Sequence, residues 1–388
     1  MDFDLTEDQQ TIRKAVRELA GRFDDQYWMD KDAAHEFPTE FYDEFARGGW
    51  LGITTPEEYG GHGMGITEAS ILLEEVAASG AGMNGASSMH LSIFGMHPVI
   101  VHGSDELKAR TLPRIVSGDL HVCFGVTEPG AGLDTTKITT FARRDGDHYV
   151  VNGRKVWISK AVESEKVLLL TRTTKAEDVT KKTDGMTLFL TDLDRSRIDV
   201  RPIKKMGRNA VTSNELFIDD LHIPVEDRVG EEGRGFRYIL DGLNPERMLV
   251  AAEALGIGRA ALRRAVQYGN EREVFGRPIG KNQGIQFPLA DSLARLDAAE
   301  LVLRKATWLY DNGRPCAREA NMAKYLCADA GFDAADRALQ THGGMGYSEE
   351  YHVSRYFREA RLTRIAPISQ EMVLNYLGEH VLGLPRSY

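Results

Sequence analysis

Hydrophobic positions recur at helical spacing at both ends of the chain, and a β-like pattern lies between them. Near the start, the apolar residues three or four positions apart are Ile12, Val16, Leu19 and Phe23. This spacing places them on one face of a helix, and the capping box at Thr6–Gln9 marks where that helix starts. Further helices are predicted at 38–50, with Pro38 as the first helical residue, and at 66–78 and 106–117. Residues 1–120 are therefore predicted to form a helical domain.

The pattern changes near residue 121, where short apolar runs rich in β-branched residues are separated by turn residues. These runs cover 148–151, 155–158, 166–170, 186–191, 198–202 and 216–223. Such runs are typical of strands. Between the first two runs, Asn152-Gly153 favours the type I′ turn of a β-hairpin. We predict a middle β domain over residues 121–232.

Long amphipathic segments return from residue 233 to the end of the chain. They cover 236–272, 283–310, 317–341 and 369–381. Helices of this length favour a bundle of near-antiparallel neighbours. The order of elements predicts an α+β multi-domain protein. Its parts are an N-terminal helical domain, a middle β-barrel-like domain and a C-terminal four-helix-bundle-like domain over residues 233–388.

Composition and charge narrow the classes of function. The 388 residues include 48 Lys and Arg against 58 Asp and Glu, a formal net charge of −10. This argues against a nucleic-acid binder, because such proteins present a basic face. The three cysteines stand far apart and form neither a zinc pattern nor a disulfide framework. There is no signal peptide and no apolar run of about 18 residues, so we predict a cytoplasmic protein without a membrane span.

Common catalytic motifs are absent. The sequence contains no P-loop, no GxSxG elbow and no HExxH pair. It also lacks a strict GxGxxG fingerprint, which argues against a Rossmann nucleotide domain. No metal site is predicted.

Two segments of the β region combine hydrogen-bonding groups with glycines or an aromatic ring. Residues 123–134 lead from a strand into a glycine-containing turn, which can bring backbone N–H groups close to a planar or anionic ligand. Trp157-Ile158-Ser159 places an indole beside a hydroxyl, a pair able to stack on a ring system and hydrogen-bond to it. Taken alone, the first segment is equally explained by a tight turn, and Trp157 is better explained as a core residue.

Four motifs in order resemble the acyl-CoA dehydrogenase family. They are VTEPGAG at 126–132, NGRKVWIS at 152–159, NEREVFG at 270–276 and QTHGGMGY at 340–347. The resemblance covers essentially the whole chain and implies the acyl-CoA dehydrogenase fold. It also implies FAD, held between the β domain and the C-terminal bundle and extended along a subunit interface of a homotetramer.

The resemblance assigns residues to the cofactor. The main chain of Val126 and Thr127 would hold the polar edge of the flavin, Trp157 would pack against the isoalloxazine, and Ser159 would donate to N5. The other residues implied at the FAD are Ile158, Arg272, Phe275, Gln283, Gln340, Gly343, Gly344 and Ser369. Arg272 would bind the pyrophosphate of a neighbouring subunit's FAD, since guanidinium groups suit phosphates. The alternative for Arg272 is a surface ion pair with a flanking glutamate.

The implied reaction is the α,β-dehydrogenation of an acyl-CoA thioester to the trans-2-enoyl-CoA, as in fatty acid β-oxidation. A base removes the α-proton and the β-hydride passes to flavin N5. Much of the family carries the base near the C-terminus, where this chain has Pro367. A branch with isovaleryl- and long-chain-type enzymes carries it before an arginine, which matches Glu246. The alternative for Glu246 is a first-turn glutamate favoured by the helix dipole.

Several points stay open at this level. Asn244 and Arg247 would lie near the substrate, and so would Leu133, which replaces the usual serine. Rival bases are Glu371, placed by the family pattern at the FAD, and Glu128, which we interpret as structural. An electron-transferring flavoprotein is the implied acceptor. An acyl-CoA oxidase that uses O₂, and a degenerate acyl-CoA- or FAD-binding protein without activity, are the alternative functions.

Overall fold

The N-terminal part of the chain is helical, as the apolar spacing predicts. The computed structural model describes residues 4–387. The helices are α1 Glu7–Ala20, α2 Asp25–Ala34, α3 Thr39–Arg47, α4 Ile66–Val76, α5 Gly82–His90, α6 His97–His102 and α7 Asp105–Val116. The predicted capping box is formed, since Thr6 accepts from the backbone N–H of Gln9, whose side chain accepts from the N–H of Thr6. Pro38 is the N-cap of α3 and not its first residue, because its ψ of 67° is not helical.

Helix α5 is buried along its whole length, although it carries polar side chains. A π-helical turn at Ala77–Ala81 precedes it and a second at Leu91–Gly95 follows it. All nine of its residues are buried, including Asn84, Ser87 and His90. Buried polar groups need hydrogen-bond partners. The polar side chains of this helix therefore indicate a polar site in the interior of the protein.

The middle part is a mixed, mainly antiparallel sheet. Its strands are β1 Val122–Gly125, β2 Phe141–Asp145, β3 His148–Ser159, β4 Lys166–Arg172, β5 Met186–Asp192, β6 Ile198–Pro202, β7 Ser213–Pro224 and β8 Arg228–Val229. They lie in the order β6-β7-β3-β2-β4-β5-β8, and β1 pairs with β4 in parallel. The predicted runs therefore correspond to strands, except that two of them belong to one strand.

The predicted turn at Asn152-Gly153 is wrong. Strand β3 continues through this pair, and the hairpin turn lies earlier, at Gly146-Asp147 between β2 and β3. Gly153 sits at a bulge, where an added Cβ would approach a neighbouring side chain to 2.4 Å. Asn152 and Asp220 of β7 join through two hydrogen bonds of 2.9 Å. Pairing with a distant strand therefore overrides the local turn preference.

The C-terminal part is a bundle of long helices. Its elements are α8 Gly235–Asp241, α9 Leu243–Glu271, β9 Glu273–Val274, β10 Arg277–Pro278, α10 Gln283–Asp311, α11 Ala317–His342, α12 Val353–Thr363 and α13 Gln370–Tyr376. The predicted helix at 236–272 is divided in two at Gly242. Beyond Tyr376, helix α13 continues as a π-helical turn, Leu377–Val381. Helix α12 lies where the sequence pattern predicts no helix.

The hydrophobic cores join the three parts. One core unites the N-terminal helices with α9, α10 and α11. A second joins α6, α7 and α8 to one face of the sheet, and a third fills the other face. Within residues 4–387, no helix has the length and apolar character needed to span a bilayer. Over the same residues, no cluster of three or more His, Cys, Asp or Glu side chains is suited to hold a metal ion.

Candidate functional site

The first turn of α9 brings Glu246 against the buried end of α5. Oε2 of Glu246 lies 2.7 Å from Nε2 of His90, and the other ring nitrogen, Nδ1, lies 2.8 Å from Oε1 of Glu253. Glu253 follows Glu246 by two helical turns, so both face the same side of α9. The Glu246 side chain is 28% exposed and that of Glu253 is 1% exposed. One open and one enclosed carboxylate therefore flank the same imidazole.

The two carboxylates determine the charge of His90. Burial by itself favours the neutral ring, but Glu246 and Glu253 oppose it and raise the pKa of His90 well above its ordinary value of 6.5. The ring is therefore an imidazolium at neutral pH and donates to both carboxylates.

Arg247 lies next to the proposed base and has an unused donor. Its Nη1 donates to Oδ1 of Asn244 at 3.0 Å, so these two predicted substrate residues are in contact. Its buried Nε has no acceptor among residues 4–387, and burial lowers its pKa. The buried amine of Lys324 on α11 also lacks an acceptor in that range, and burial lowers its pKa to about 8 against the opposing effect of Glu371. Such donors suit a bound anion or carbonyl.

The turn after β1 is fixed to β3 by a buried lysine. Lys155 Nζ donates to the carbonyl of Val126 at 3.0 Å and to Oε1 of Glu128 at 2.8 Å. The backbone N–H of Val156 donates to the carbonyl of Thr127 at 2.9 Å. These contacts place the predicted flavin turn beside the strand that carries Trp157.

The surroundings of Glu128 are those of a structural residue. Its Oε2 accepts from the backbone N–H of Thr139 at 2.7 Å and from the Thr139 hydroxyl at 2.9 Å. Its Oε1 accepts from the backbone N–H of Thr140 at 3.0 Å, besides the Lys155 amine. Both oxygens are thus engaged inside the protein and neither is free to take a substrate proton.

The end of β3 presents an aromatic ring to the outside of the chain. Trp157 is 57% exposed and has a φ of +63°, so the alternative that it is a core residue is wrong. Its neighbour Ile158 is buried and anchors the strand. At Gly130 and Gly132 an added Cβ would meet nothing within 4 Å, and Leu133 is exposed. The turn and the indole therefore form one open face.

Arg208 is a residue that the sequence does not bring to attention. It donates to the hydroxyl of Ser159 at 3.0 Å, to that of Ser213 at 2.7 Å and to that of Ser87 at 3.4 Å. Burial lowers its pKa, and its Nε has no acceptor within residues 4–387. It therefore connects the end of β3 with helix α5, which carries His90. A single arginine in a loop offers no sequence signal of such a role.

The remaining predicted cofactor residues lie on the C-terminal part. Arg272 is exposed at the end of α9, and over residues 4–387 its side chain makes no ion pair, so the alternative pair with a flanking glutamate is not formed. Glu271 instead accepts from Gln267 at 3.0 Å. Phe275 is 99% exposed at the tip of the β9–β10 hairpin, and Gln283 is exposed at the start of α10.

A second group lies at the end of α11 and the start of α13. Gln340 is exposed, and at Gly343 and Gly344 an added Cβ would meet nothing within 4 Å. Ser369 caps α13 by accepting from the backbone N–H of Met372 at 3.4 Å. Within residues 4–387 no hydrogen bond, ion pair or ring contact joins these C-terminal residues to Trp157.

The rival base Glu371 has a different environment from Glu246. It is exposed in the first turn of α13, where its own backbone N–H and the Ser369 hydroxyl lower its pKa. A lower pKa makes a weaker base. The turn at 364–369 that contains Pro367 has no acidic residue.

Comparison with known protein families matches three consecutive domains to this chain. They are described as "Acyl-CoA dehydrogenase, N-terminal domain" over residues 6–119, "middle domain" over 123–221 and "C-terminal domain" over 233–382. The chain belongs to the acyl-CoA dehydrogenase family. The limits of the three domains at residues 120 and 232 stay a prediction.

Relatives are similar over their full length. Acyl-CoA dehydrogenase FadE12 of Mycobacterium tuberculosis (strain ATCC 25618 / H37Rv) is 40% identical over 393 residues, covering 99% of this chain and 98% of the relative. The butyryl-CoA dehydrogenase structure from Megasphaera elsdenii has a TM-score of 0.93 at 31% identity, covering 98% and 100% of the two chains. A chain in the structure described as the electron transferring flavoprotein of Acidaminococcus fermentans has a TM-score of 0.91 at 32% identity, with the same coverage.

The protein is therefore an acyl-CoA dehydrogenase, and its cofactor is FAD. The residues present fit this cofactor. The exposed indole of Trp157 offers a stacking surface, and the open space at Gly130 and Gly344 allows close backbone approach. The exposed guanidinium of Arg272, which forms no ion pair with any described residue, suits a pyrophosphate.

Proposed function

We propose that this acyl-CoA dehydrogenase uses Glu246 to remove the α-proton of an acyl-CoA thioester, which gives the trans-2-enoyl-CoA. The observation that carries this proposal is the partly exposed carboxylate of Glu246. Its Oε2 contacts buried His90, and its Oε1 accepts no hydrogen bond from residues 4–387. Glu128 is fully engaged and Glu371 is exposed with a lowered pKa. Of the three acidic candidates, only Glu246 combines partial burial with a free oxygen.

The proposed base lies beside groups suited to the thioester and the CoA. Arg247 follows it directly, holds Asn244, and keeps one buried donor unused. Abstraction of a weakly acidic α-proton needs such donors, because negative charge develops on the thioester oxygen. We propose that Asn244 and Arg247 form the wall on this side of the substrate, and that Leu133 forms part of the entrance on the sheet side.

We propose that the flavin lies on the face formed by Trp157 and the turn at Val126 and Thr127. When bound, FAD supplies the acceptor for the β-hydride. The chain itself orients that acceptor: Lys155 fixes the turn, and Arg208 holds the Ser159 hydroxyl. Since Ser159 accepts from Arg208, its own hydroxyl proton is free to be donated towards the flavin.

We propose that Arg272 binds the pyrophosphate of FAD on a neighbouring subunit, with Phe275, Gln283, Gln340, Gly343, Gly344 and Ser369 on the same cofactor. Arg272→Gln should weaken FAD binding by about 10- to 100-fold, since a hydrogen bond to a charged group contributes about 1.5–3 kcal/mol. Titration of the apoprotein with FAD, followed by flavin fluorescence, measures the change. Arg318→Gln, an exposed arginine of α11, is the control, and equal affinity in both variants would refute the proposal.

We propose a homotetramer. The exposed side of α10 carries four large apolar side chains, which are Phe287, Leu293, Leu301 and Trp308. A patch of this kind on a helix usually lies in a protein interface. Sedimentation equilibrium should give four times the chain mass of 43.2 kDa, and a monomer would exclude an FAD site that two subunits complete.

We propose an electron-transferring flavoprotein as the acceptor and a branched or medium-to-long acyl-CoA as the substrate. The first rests on the similarity to the chain in the Acidaminococcus fermentans structure and the second on the position of Glu246. Anaerobic mixing with octanoyl- or isovaleryl-CoA should bleach the flavin faster than mixing with short, unbranched butanoyl-CoA. Rapid peroxide formation in air would identify an oxidase instead, and a bound flavin that no acyl-CoA bleaches would identify a non-catalytic protein.

A further inference from the structure

The two oxygens of the Glu246 carboxylate have different surroundings. Oε2 is engaged by His90 Nε2 at 2.7 Å. No hydrogen bond to Oε1 is formed within residues 4–387. A carboxylate with one oxygen held by a cation keeps its plane and direction better than a free one, because rotation would break a charge-assisted bond.

His90 is itself held from behind. Its Nδ1 lies 2.8 Å from Oε1 of Glu253, which is almost fully buried. A turn of the ring would break both contacts at once. His90 is the last residue of α5. All residues of this helix are buried, and their packing also anchors the backbone of His90. The imidazole thus has one position relative to α9.

The other charged groups around α5 do not compete for this ring. Arg208 reaches α5 through the Ser87 hydroxyl, and its guanidinium interacts electrostatically with Glu253. Lys160 reaches α5 from the end of β3 and donates to the carbonyl of Ser88 at 3.1 Å. Burial lowers the pKa of Lys160 to about 7, and the carboxylates that oppose this are Glu163 and Glu165. Neither Arg208 nor Lys160 forms a hydrogen bond or ion pair with Glu246 within residues 4–387, so that contact is left to His90.

We propose that His90 is the positioning residue of the base: supported by Glu253, it holds Oε2 of Glu246 so that Oε1 takes the α-proton. This inference rests on the proposed role of Glu246. In the step, the Cα–H bond breaks, its proton forms an O–H bond with Oε1, and its electron pair stays on the acyl thioester. His90 keeps both of its protons throughout.

The position of His90 between two acidic side chains makes its contact with the base depend on pH. Glu246 and Glu253 lie on one face of α9, and the imidazolium lies between them. Loss of the imidazolium proton as the pH rises removes the charge that holds Oε2 of Glu246. His90 therefore determines the upper limit of the active pH range.

The experiment compares His90→Gln, Glu253→Gln and the wild-type holoenzyme. Anaerobic stopped-flow reduction of the flavin is followed against pH, with whichever of butanoyl-, octanoyl- and isovaleryl-CoA reduces the wild type fastest. His90→Gln should be about 100-fold slower, a cost typical of a misplaced catalytic group, with unchanged affinity for the acyl-CoA. Glu253→Gln should move the upper limit of the active pH range downwards, because Glu253 is one of the two groups that raise the pKa of His90.

A second readout does not need turnover. In protein labelled with ¹⁵N histidine, both ring nitrogens of His90 should be protonated at neutral pH, and the signal is assigned by its loss in His90→Gln. In Glu253→Gln the ring should lose its proton at lower pH than in the wild type. If His90 were purely structural, a change of its titration in Glu253→Gln would leave the pH dependence of flavin reduction unchanged.

Three outcomes decide between the proposals. A His90→Gln enzyme with wild-type rate and upper pH limit overturns the positioning role while Glu246 stands. An active Glu246→Gln enzyme overturns the assignment of the base itself, whatever His90 does. If His90→Gln does not fold, the Glu253→Gln variant decides. The inference is overturned if neither the titration of His90 nor the upper pH limit of flavin reduction differs from the wild type.

Discussion

Glu246→Gln should leave the fold and the bound FAD intact and slow the reduction of the flavin by acyl-CoA by about 10²- to 10⁴-fold. Glutamine has nearly the same shape as glutamate, and its amide oxygen still accepts from His90, which lies 2.7 Å away in the wild type. It has no carboxylate to take the α-proton, and a positioned general base typically contributes a factor of this size. The effect should fall on the rate of reduction and not on substrate affinity, because the proton moves after binding.

The measurement is anaerobic stopped-flow spectroscopy at the flavin absorption band, with FAD content checked by its visible spectrum. Glu18→Gln on the exposed side of α1 is the matched control and should behave as the wild type. Glu371→Gln tests the rival base and should still be reduced. Full, fast reduction of Glu246→Gln would exclude Glu246 as the base, and loss of reduction in Glu371→Gln alone would assign the base to α13.

Lys155→Met should lower the free energy of unfolding by about 3–5 kcal/mol, the usual cost of breaking a buried ion pair. The methionine leaves the buried carboxylate of Glu128 without its cation, and it also removes the donor to the carbonyl of Val126. Since that carbonyl belongs to the proposed flavin turn, the variant should lose FAD on dilution. Stability and cofactor retention should therefore decrease together.

Urea unfolding of the apoprotein measures the loss of stability separately from the loss of FAD. The double variant Lys155→Met with Glu128→Gln should recover part of the stability, because it removes the unpaired buried charge. The recovery should be incomplete, since the single amide oxygen of glutamine replaces only one of the two carboxylate oxygens that accept from Thr139 and Thr140. Lys14→Met, an exposed lysine of α1, should change stability by less than about 1 kcal/mol. A Lys155→Met protein as stable as the Lys14→Met control would refute the role of the buried pair.

Much of the fold follows from periodicity, and the errors have a common physical origin. The long helices α10 and α11 appear where the apolar spacing places them. The turn predicted at Asn152-Gly153 is wrong because the turn preference of this pair is local, whereas its bulge depends on Asp220, far along the chain. The sequence does not predict helix α12 for a related reason, since only its tertiary neighbours distinguish its short amphipathic pattern from a loop.

The site shows the same division between local and distant information. Glu246 is predicted from the resemblance to the family. Pro367 stands where much of the family has its base, and Glu246 precedes an arginine, as the base does in one branch. His90 could not be predicted from the sequence, because its meaning depends on two carboxylates more than 150 residues away that the fold brings to its ring. Glu253 left a weak signal, as a single acid in the apolar run at 248–257, and Arg208 left none.

The proposal that Arg272 binds the FAD of a neighbouring subunit has a genetic consequence. If each cofactor takes its flavin surface from one subunit and its pyrophosphate contact from the next, two defective chains can assemble one intact site. A mixed oligomer of Glu246→Gln and Arg272→Gln chains would contain sites with both lesions and sites with neither. Co-expression of the two alleles should therefore restore activity by complementation, although each allele alone is impaired.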